Sequence, residues 1–168
     1  MKKISLLLTV ICLTIGQFSF ACDCDVKDGF KAAAAKTEFV ALVKVTKYLT
    51  SKNIYGEQKP ISMEVEVVEI YKGKERKKRF TVWGGDVEKC RPILSKFKEG
   101  GYYVIAFNHA LDGSKDKDAH PGENTSDYAI SICGEYWLTA DTKKGTATGW
   151  INEENDVFEL KDLKALLN

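Results

Sequence analysis

Two cysteines one residue apart, Cys22 and Cys24, follow an apolar run that ends at Ala21. Cys90 and Cys133 stand alone far along the chain, and Cys12 lies inside the apolar run. Three chemistries fit such a doublet: a lipid on the Cys22 sulfur, a redox or metal site, or disulfides to the distant cysteines. Thiolate zinc sites use close pairs with two to four residues between them, and redox pairs use two. Cys22-Asp23-Cys24 has one intervening residue, and Cys90 and Cys133 are isolated. Lipidation is disfavoured by bulky Phe20 in Ser19-Phe20-Ala21, and it would leave one of the remaining thiols unpaired. Disulfides fit best. A bond between Cys22 and Cys24 would strain a one-residue loop. That leaves Cys22 with Cys90 and Cys24 with Cys133, or the crossed arrangement. Either closes long loops, each worth about 4 kcal/mol in the chain-entropy model.

The compartment agrees with that chemistry. Met1-Lys2-Lys3 is a basic start, Ile4 to Phe20 carries no charge, and small residues precede the expected cut after Ala21. This is the pattern of a secretory signal peptide over 1–21, and about seventeen apolar residues are short for a membrane span. The predicted mature chain, 22–168, keeps four cysteines, an even number suited to an oxidising compartment. It is expected to be exported: secreted, periplasmic or extracellular, with an outer-membrane lipoprotein as the lesser alternative. Loss of Lys2 and Lys3 from 25 basic and 24 acidic residues leaves a net charge of about −1. That excludes nucleic-acid binding driven by bulk charge. The mature part contains no second apolar span and is long enough for one domain.

Few other residues suggest chemistry. His109 and His120 are the two histidines, and no nucleophile motif accompanies them. Asp116, Asp118, His120 and Glu123 could be gathered around a metal, but a solvated acidic loop is the simpler reading. The chain therefore reads as a non-enzyme without a cofactor. Asn124-Thr125-Ser126 matches a glycosylation sequon. Tyr102, Tyr103, Phe107, Tyr136 and Trp137 could make a stacking platform, with core packing the commoner use.

The elements that must hold the cysteines are mostly strands. Asp28 can cap a helix through the alanine run to Lys36. Thr37–Tyr48 is rich in β-branched and aromatic residues. The stretch 51–60 reads as a polar loop. Ile61, Met63, Val65 and Val67 alternate with polar residues, and Val67-Val68 breaks the alternation, as a β-bulge would. The basic segment 72–78 reads as a solvated hairpin tip, and 79–85 as a third strand. A fourth strand is expected over 102–110 and a fifth over 128–137. Val157, Leu160, Leu163, Leu166 and Leu167 have the spacing of a C-terminal helix. The expected fold is mainly β: a five- or six-stranded Greek-key barrel of the oligonucleotide/oligosaccharide-binding (OB) type, with a short N-terminal and a C-terminal helix.

The cysteine order, the helix after the doublet, the Ile54-Tyr55-Gly56 loop and the Tyr71-Lys72-Gly73 turn together resemble a known family. It is the N-terminal domain of the tissue inhibitors of metalloproteinases, within the netrin-like group. The resemblance covers about residues 22–140. It implies the disulfides Cys22–Cys90 and Cys24–Cys133. It also implies that the amine and carbonyl oxygen of Cys22 chelate the catalytic zinc of a target protease, so any metal contact is made in trans. Asp23, Cys24 and the segment Val87, Glu88, Lys89 would complete the contact ridge. A catalytic zinc keeps an open, water-filled position, and an α-amine titrating near pH 8 can be deprotonated by the metal.

The sequence departs from the family at several points. Asp23 replaces a small hydroxylated residue whose side chain enters the target's pocket. A carboxylate is costly to bury among apolar groups, which favours a target with a basic pocket. The third disulfide of that domain and the separate C-terminal domain have no counterpart. The alternative function is a netrin-like module that binds an envelope or extracellular protein, with purely structural disulfides.

Overall fold

The computed structural model describes residues 22, 24, 29–86, 89–152 and 156–167. Residues 1–21, read above as a signal peptide, and Asp23, Val87 and Glu88 lie outside them. Five strands close into a barrel. They are β1 (Phe39–Ile54), β2 (Glu57–Lys72), β3 (Arg79–Trp83), β4 (Tyr102–His109) and β5 (Tyr128–Ala129). The pairing runs β1–β2–β3–β5–β4, and β4 returns to β1 to complete the ring. All of these pairs are antiparallel except β3 with β5. A meander of β6 (Trp137–Asp141), β7 (Thr146–Thr148) and β8 (Val157–Glu159) extends the sheet from β4.

The alternation read in β2 has its counterpart in burial: Met63 and Val65 are buried, whereas Glu64 and Glu66 are half-exposed. The expected bulge is present. Val43 pairs with Val67 but Leu42 pairs with Glu69, so Val68 is the extra residue, and it faces solvent. The barrel interior holds a cluster of rings. Phe80 meets Phe107 edge-on with centroids 5.3 Å apart, and Tyr128 lies 4.6 Å from Phe80. Edge-on and tilted pairs of this kind add to the stability from burial alone. Of the suggested platform residues, Phe107, Tyr103 and Tyr136 are buried and Tyr102 and Trp137 half-buried, so packing absorbs them.

The short helix α1 (Phe30–Ala35) buries Phe30, Ala33 and Ala34. Lys72 closes its C-terminal end, donating to the carbonyls of Ala34 and Ala35 at 3.0 and 3.1 Å. Gly73 just beyond has φ +80, and a Cβ there would strike the carbonyl oxygen of Glu38.

Three sequence expectations need correction. The segment 51–60 is not a loop. β1 and β2 continue as a paired ribbon, turning only at Tyr55 and Gly56. Asn53 Oδ1 accepts the Gly56 N–H at 2.9 Å and sets the turn, which leaves Tyr55 at φ +53 and 89% exposed. The fifth strand stops at Ala129 rather than Trp137. Ser131 Oγ takes the Cys133 N–H at 3.0 Å and Gly134 has φ +134, so the chain leaves the sheet there. The C-terminal helix is also shorter. Val157 belongs to β8, a 3-10 turn covers Leu160–Asp162, and α2 is Leu163–Leu167. The apolar spacing was real, since Leu160 and Leu163 are buried, but it serves three short elements.

Candidate functional site

Both disulfides of the doublet reach the barrel. Cys22 is bonded to Cys90 and Cys24 to Cys133, with Cα atoms 5.5 and 5.2 Å apart. The two receiving segments are themselves joined, because the Ile132 N–H donates to the Cys90 carbonyl at 3.3 Å. Thus two anchors one residue apart are fixed to two neighbouring pieces of one surface. Cys22 and Cys24 are half-buried. Of the expected contact ridge, Lys89 is described. It is half-buried beside Cys90 and lines a cleft on either side.

Next to this ridge is a charged cluster that sequence reading missed. Asp86 follows the end of β3, and its side chain is 1% exposed. Its Oδ2 accepts from the Lys52 ammonium on the ribbon at 2.6 Å. His120, also 1% exposed, approaches the same oxygen with Nδ1 at 3.8 Å. Its Nε2 lies 2.8 Å from the Gly84 carbonyl, and its ring stacks on Trp83. With Nε2–H donating to that carbonyl, Nδ1 is the unprotonated nitrogen of the neutral ring. Asp86 therefore joins the ribbon, the end of β3 and the 110–127 loop at one point. Burial pushes its carboxyl up, but the Lys52 ammonium brings it below the ordinary value.

A second buried pair holds the loop. Arg91 grips Glu123 through both guanidinium NH groups, at 2.9 and 2.8 Å. The same carboxylate accepts the N–H groups of Leu111 at 2.7 Å and His120 at 2.9 Å. Burial pushes the Glu123 carboxyl up, and these partners, Arg91 foremost, bring it net below its ordinary value. Arg91→Ala would leave the carboxylate buried without its cation, the situation in which loss of one partner is strongly destabilising. A loss of about 3 kcal/mol is expected in urea unfolding, and Glu123→Gln should cost a similar amount, because its NH2 would face donors that both carboxylate oxygens now accept.

These bonds also place the residues that the sequence grouped around a possible metal. Among the described residues no group of three His, Cys, Asp or Glu side chains is placed to hold an ion. Glu123 is committed to Arg91, His120 faces Asp86, and Asp116 Oδ2 accepts the Asp112 N–H at 2.9 Å. Nor is the loop simply a solvated acidic segment, since His120 and Glu123 are buried. His109, the other histidine, is exposed and stacks on Tyr128. Ser51, His120 and Asp86 line one cleft, with His120 Nε2 engaged by the Gly84 carbonyl.

Burial lowers the His120 imidazole below its ordinary pKa, against the opposing pull of Gly84 and Asp86 and with help from Lys89 and Arg91. The unfolded chain therefore takes up this proton first. The stabilisation is present above about pH 6.5 and is lost as pH falls below it. Urea unfolding should show stability dropping between pH 7 and 5, and His120→Gln should flatten that slope.

No family model and no curated protein matches the chain. Among the described residues no helix is long and apolar enough to cross a membrane.

Proposed function

We propose that the chain is an exported inhibitor of zinc endopeptidases that acts through the free amine and carbonyl oxygen of Cys22. The observation that supports this reading is the double anchorage of the Cys22–Cys24 doublet. A terminal amine is ordinarily the most mobile group of a chain. Here the residue that would carry it after cleavage is bonded to Cys90, and the second following residue is bonded to Cys133. Such pre-ordering removes most of the entropy cost of presenting a terminus to a partner. It serves a metal-directed amine well.

The chelating atoms suit the task. The amine and carbonyl oxygen of one residue close a five-membered ring on a metal ion and can displace the water at the open position of a catalytic zinc. Lys89 and the adjoining residues of its segment would flank the target's cleft, and Asp23 would point the interaction toward a basic specificity pocket.

The test is inhibition of a panel of zinc endopeptidases by the secreted protein. Intact mass should first establish that it begins at an unmodified Cys22 and has lost four hydrogens to two disulfides. Inhibition should require the free amine. If every member of the panel is indifferent to a chain with that mass, the inhibitor reading fails.

A further inference from the structure

The segment Lys72 to Arg79 carries six bases in eight residues against one acid, Glu75, and the chelation reading leaves it unused. It links β2 to β3 and is tied to the rest of the molecule at three points. Lys72 holds the end of α1. Glu75 accepts the Tyr128 hydroxyl at 2.6 Å and the Lys77 N–H at 2.7 Å. The Lys77 ammonium donates to the Ser126 carbonyl at 3.0 Å. The single acid of the segment is thus turned to the barrel. Lys74 and Arg76, on either side of it, are exposed and pair with no acid among the described residues. Lys78 and Arg79 share Glu66, at 3.4 and 2.7 Å, so one carboxylate faces two bases. Lys72, Lys74, Arg76 and Lys77 bond to carbonyl oxygens or to nothing, so no ion pair offsets their charge. Glu38 and Glu69 flank this end beside His109 and Tyr71, and pair with none of the four.

The segment offers charge and little else. It has no aromatic, amide or hydroxyl side chain. Tyr71 and Phe80, which bracket it, are buried. Nucleic-acid bases are held by stacking on exposed rings, and sugars by hydrogen bonds from amides and hydroxyls. Neither device is present here. The headgroups of an acidic bilayer need only positive charge, and each Lys or Arg near such a surface strengthens binding about fivefold.

We propose that this segment docks the chain on a phospholipid bilayer whose exposed leaflet carries acidic lipid. Attachment is peripheral and electrostatic, because the segment has no apolar side chain to insert. The three ties hold the bases at fixed places, so little ordering is needed on contact. β3 separates this surface from the disulfide-anchored ridge. It runs from Arg79 to Trp83, a length of about 13 Å. Gly85, beyond its far end, donates to the Pro92 carbonyl at 2.8 Å, two residues from Cys90. A docked chain therefore keeps the Cys22 side turned away from the lipid. Docking does not depend on the inhibitor reading, since it uses none of the same residues.

Co-sedimentation of the disulfide-bonded chain with phosphatidylcholine vesicles containing about one-third phosphatidylglycerol, at about 50 mM salt, tests this. Binding is expected there and none to pure phosphatidylcholine. Raising the salt to about 500 mM should release the chain by screening. Lys74→Ala with Arg76→Ala should weaken binding by about tenfold or more, the effect of two bases. Neither side chain makes a bond described here, so this variant should unfold in urea as the unaltered chain does. Lys98→Ala with Lys117→Ala removes the same charge from exposed sites elsewhere. It should change binding by less than about twofold. Dextran sulfate, offered without lipid, supplies the remaining arm. Retention on dextran sulfate without vesicle binding assigns a polysaccharide and overturns the proposal. So does the absence of binding to acidic vesicles, or an equal loss in the two double variants.

Discussion

One alanine added ahead of Cys22 is expected to abolish inhibition of any zinc endopeptidase that the mature chain inhibits. The change is small in volume and leaves both disulfides in place. Its effect is electronic. The Cys22 nitrogen becomes an amide, whose lone pair is delocalised into the new carbonyl, so it no longer ligates zinc. The amine that replaces it sits on the added alanine, one Cα–Cα step of about 3.8 Å away. Its own five-membered chelate would require the alanine to occupy the place that Cys22 held, and the two disulfides hold Cys22 there. We expect a loss of about a thousandfold or more, equivalent to about 4 kcal/mol. Measured inhibition constants for the two forms against the most sensitive protease decide the matter. Equal constants would mean that binding does not use the amine. A netrin-like docking surface would then be the better description, because such a surface is indifferent to one extra residue at the terminus.

How much of this could be read from the residues depends on the range of the forces involved. β2 was legible because its alternation is a local consequence of one buried and one wet face, and the Val68 bulge was legible as a break in it. The ribbon turn was not. Tyr55 is a poor residue for φ +53, and Asn53 acts through its side chain rather than by occupying the turn itself. β6 to β8 were hidden for a different reason. They are three to five residues long, Thr is their commonest residue, few of their residues are buried, and pairing that starts from β4 rather than composition makes them strands. The doublet was visible as chemistry, yet its pairing came from family resemblance, since cysteine spacing alone allowed two arrangements. The Asp86–Lys52–His120 cluster could not have been found from the sequence. Its members are 34 residues apart on either side of Asp86, and only barrel closure brings them together. The available signal was a lone histidine in a polar loop, and it pointed to the neighbouring acids instead.

Replacing Cys24 and Cys133 together by serine should cost about 4–5 kcal/mol of stability, the chain-entropy value for a loop of 109 residues. The double change avoids leaving a reactive thiol. Urea unfolding should show the loss chiefly as a lower midpoint, with the barrel still folded because its ring cluster and strand pairings involve neither residue. Inhibition should fall separately. Cys22 would keep its bond to Cys90, but the residues after it would be free to move, and fixing one residue's backbone costs about 1–2 kcal/mol. Roughly a tenfold rise in the inhibition constant is therefore expected under conditions where the variant is fully folded. The two readouts separate the roles of the bond. A stability loss without a change in inhibition would make Cys24–Cys133 a staple for the barrel alone, and Cys22–Cys90 sufficient to present the amine. Loss of both in these proportions would mean that the second disulfide holds the terminus in its binding geometry as well as holding the chain together.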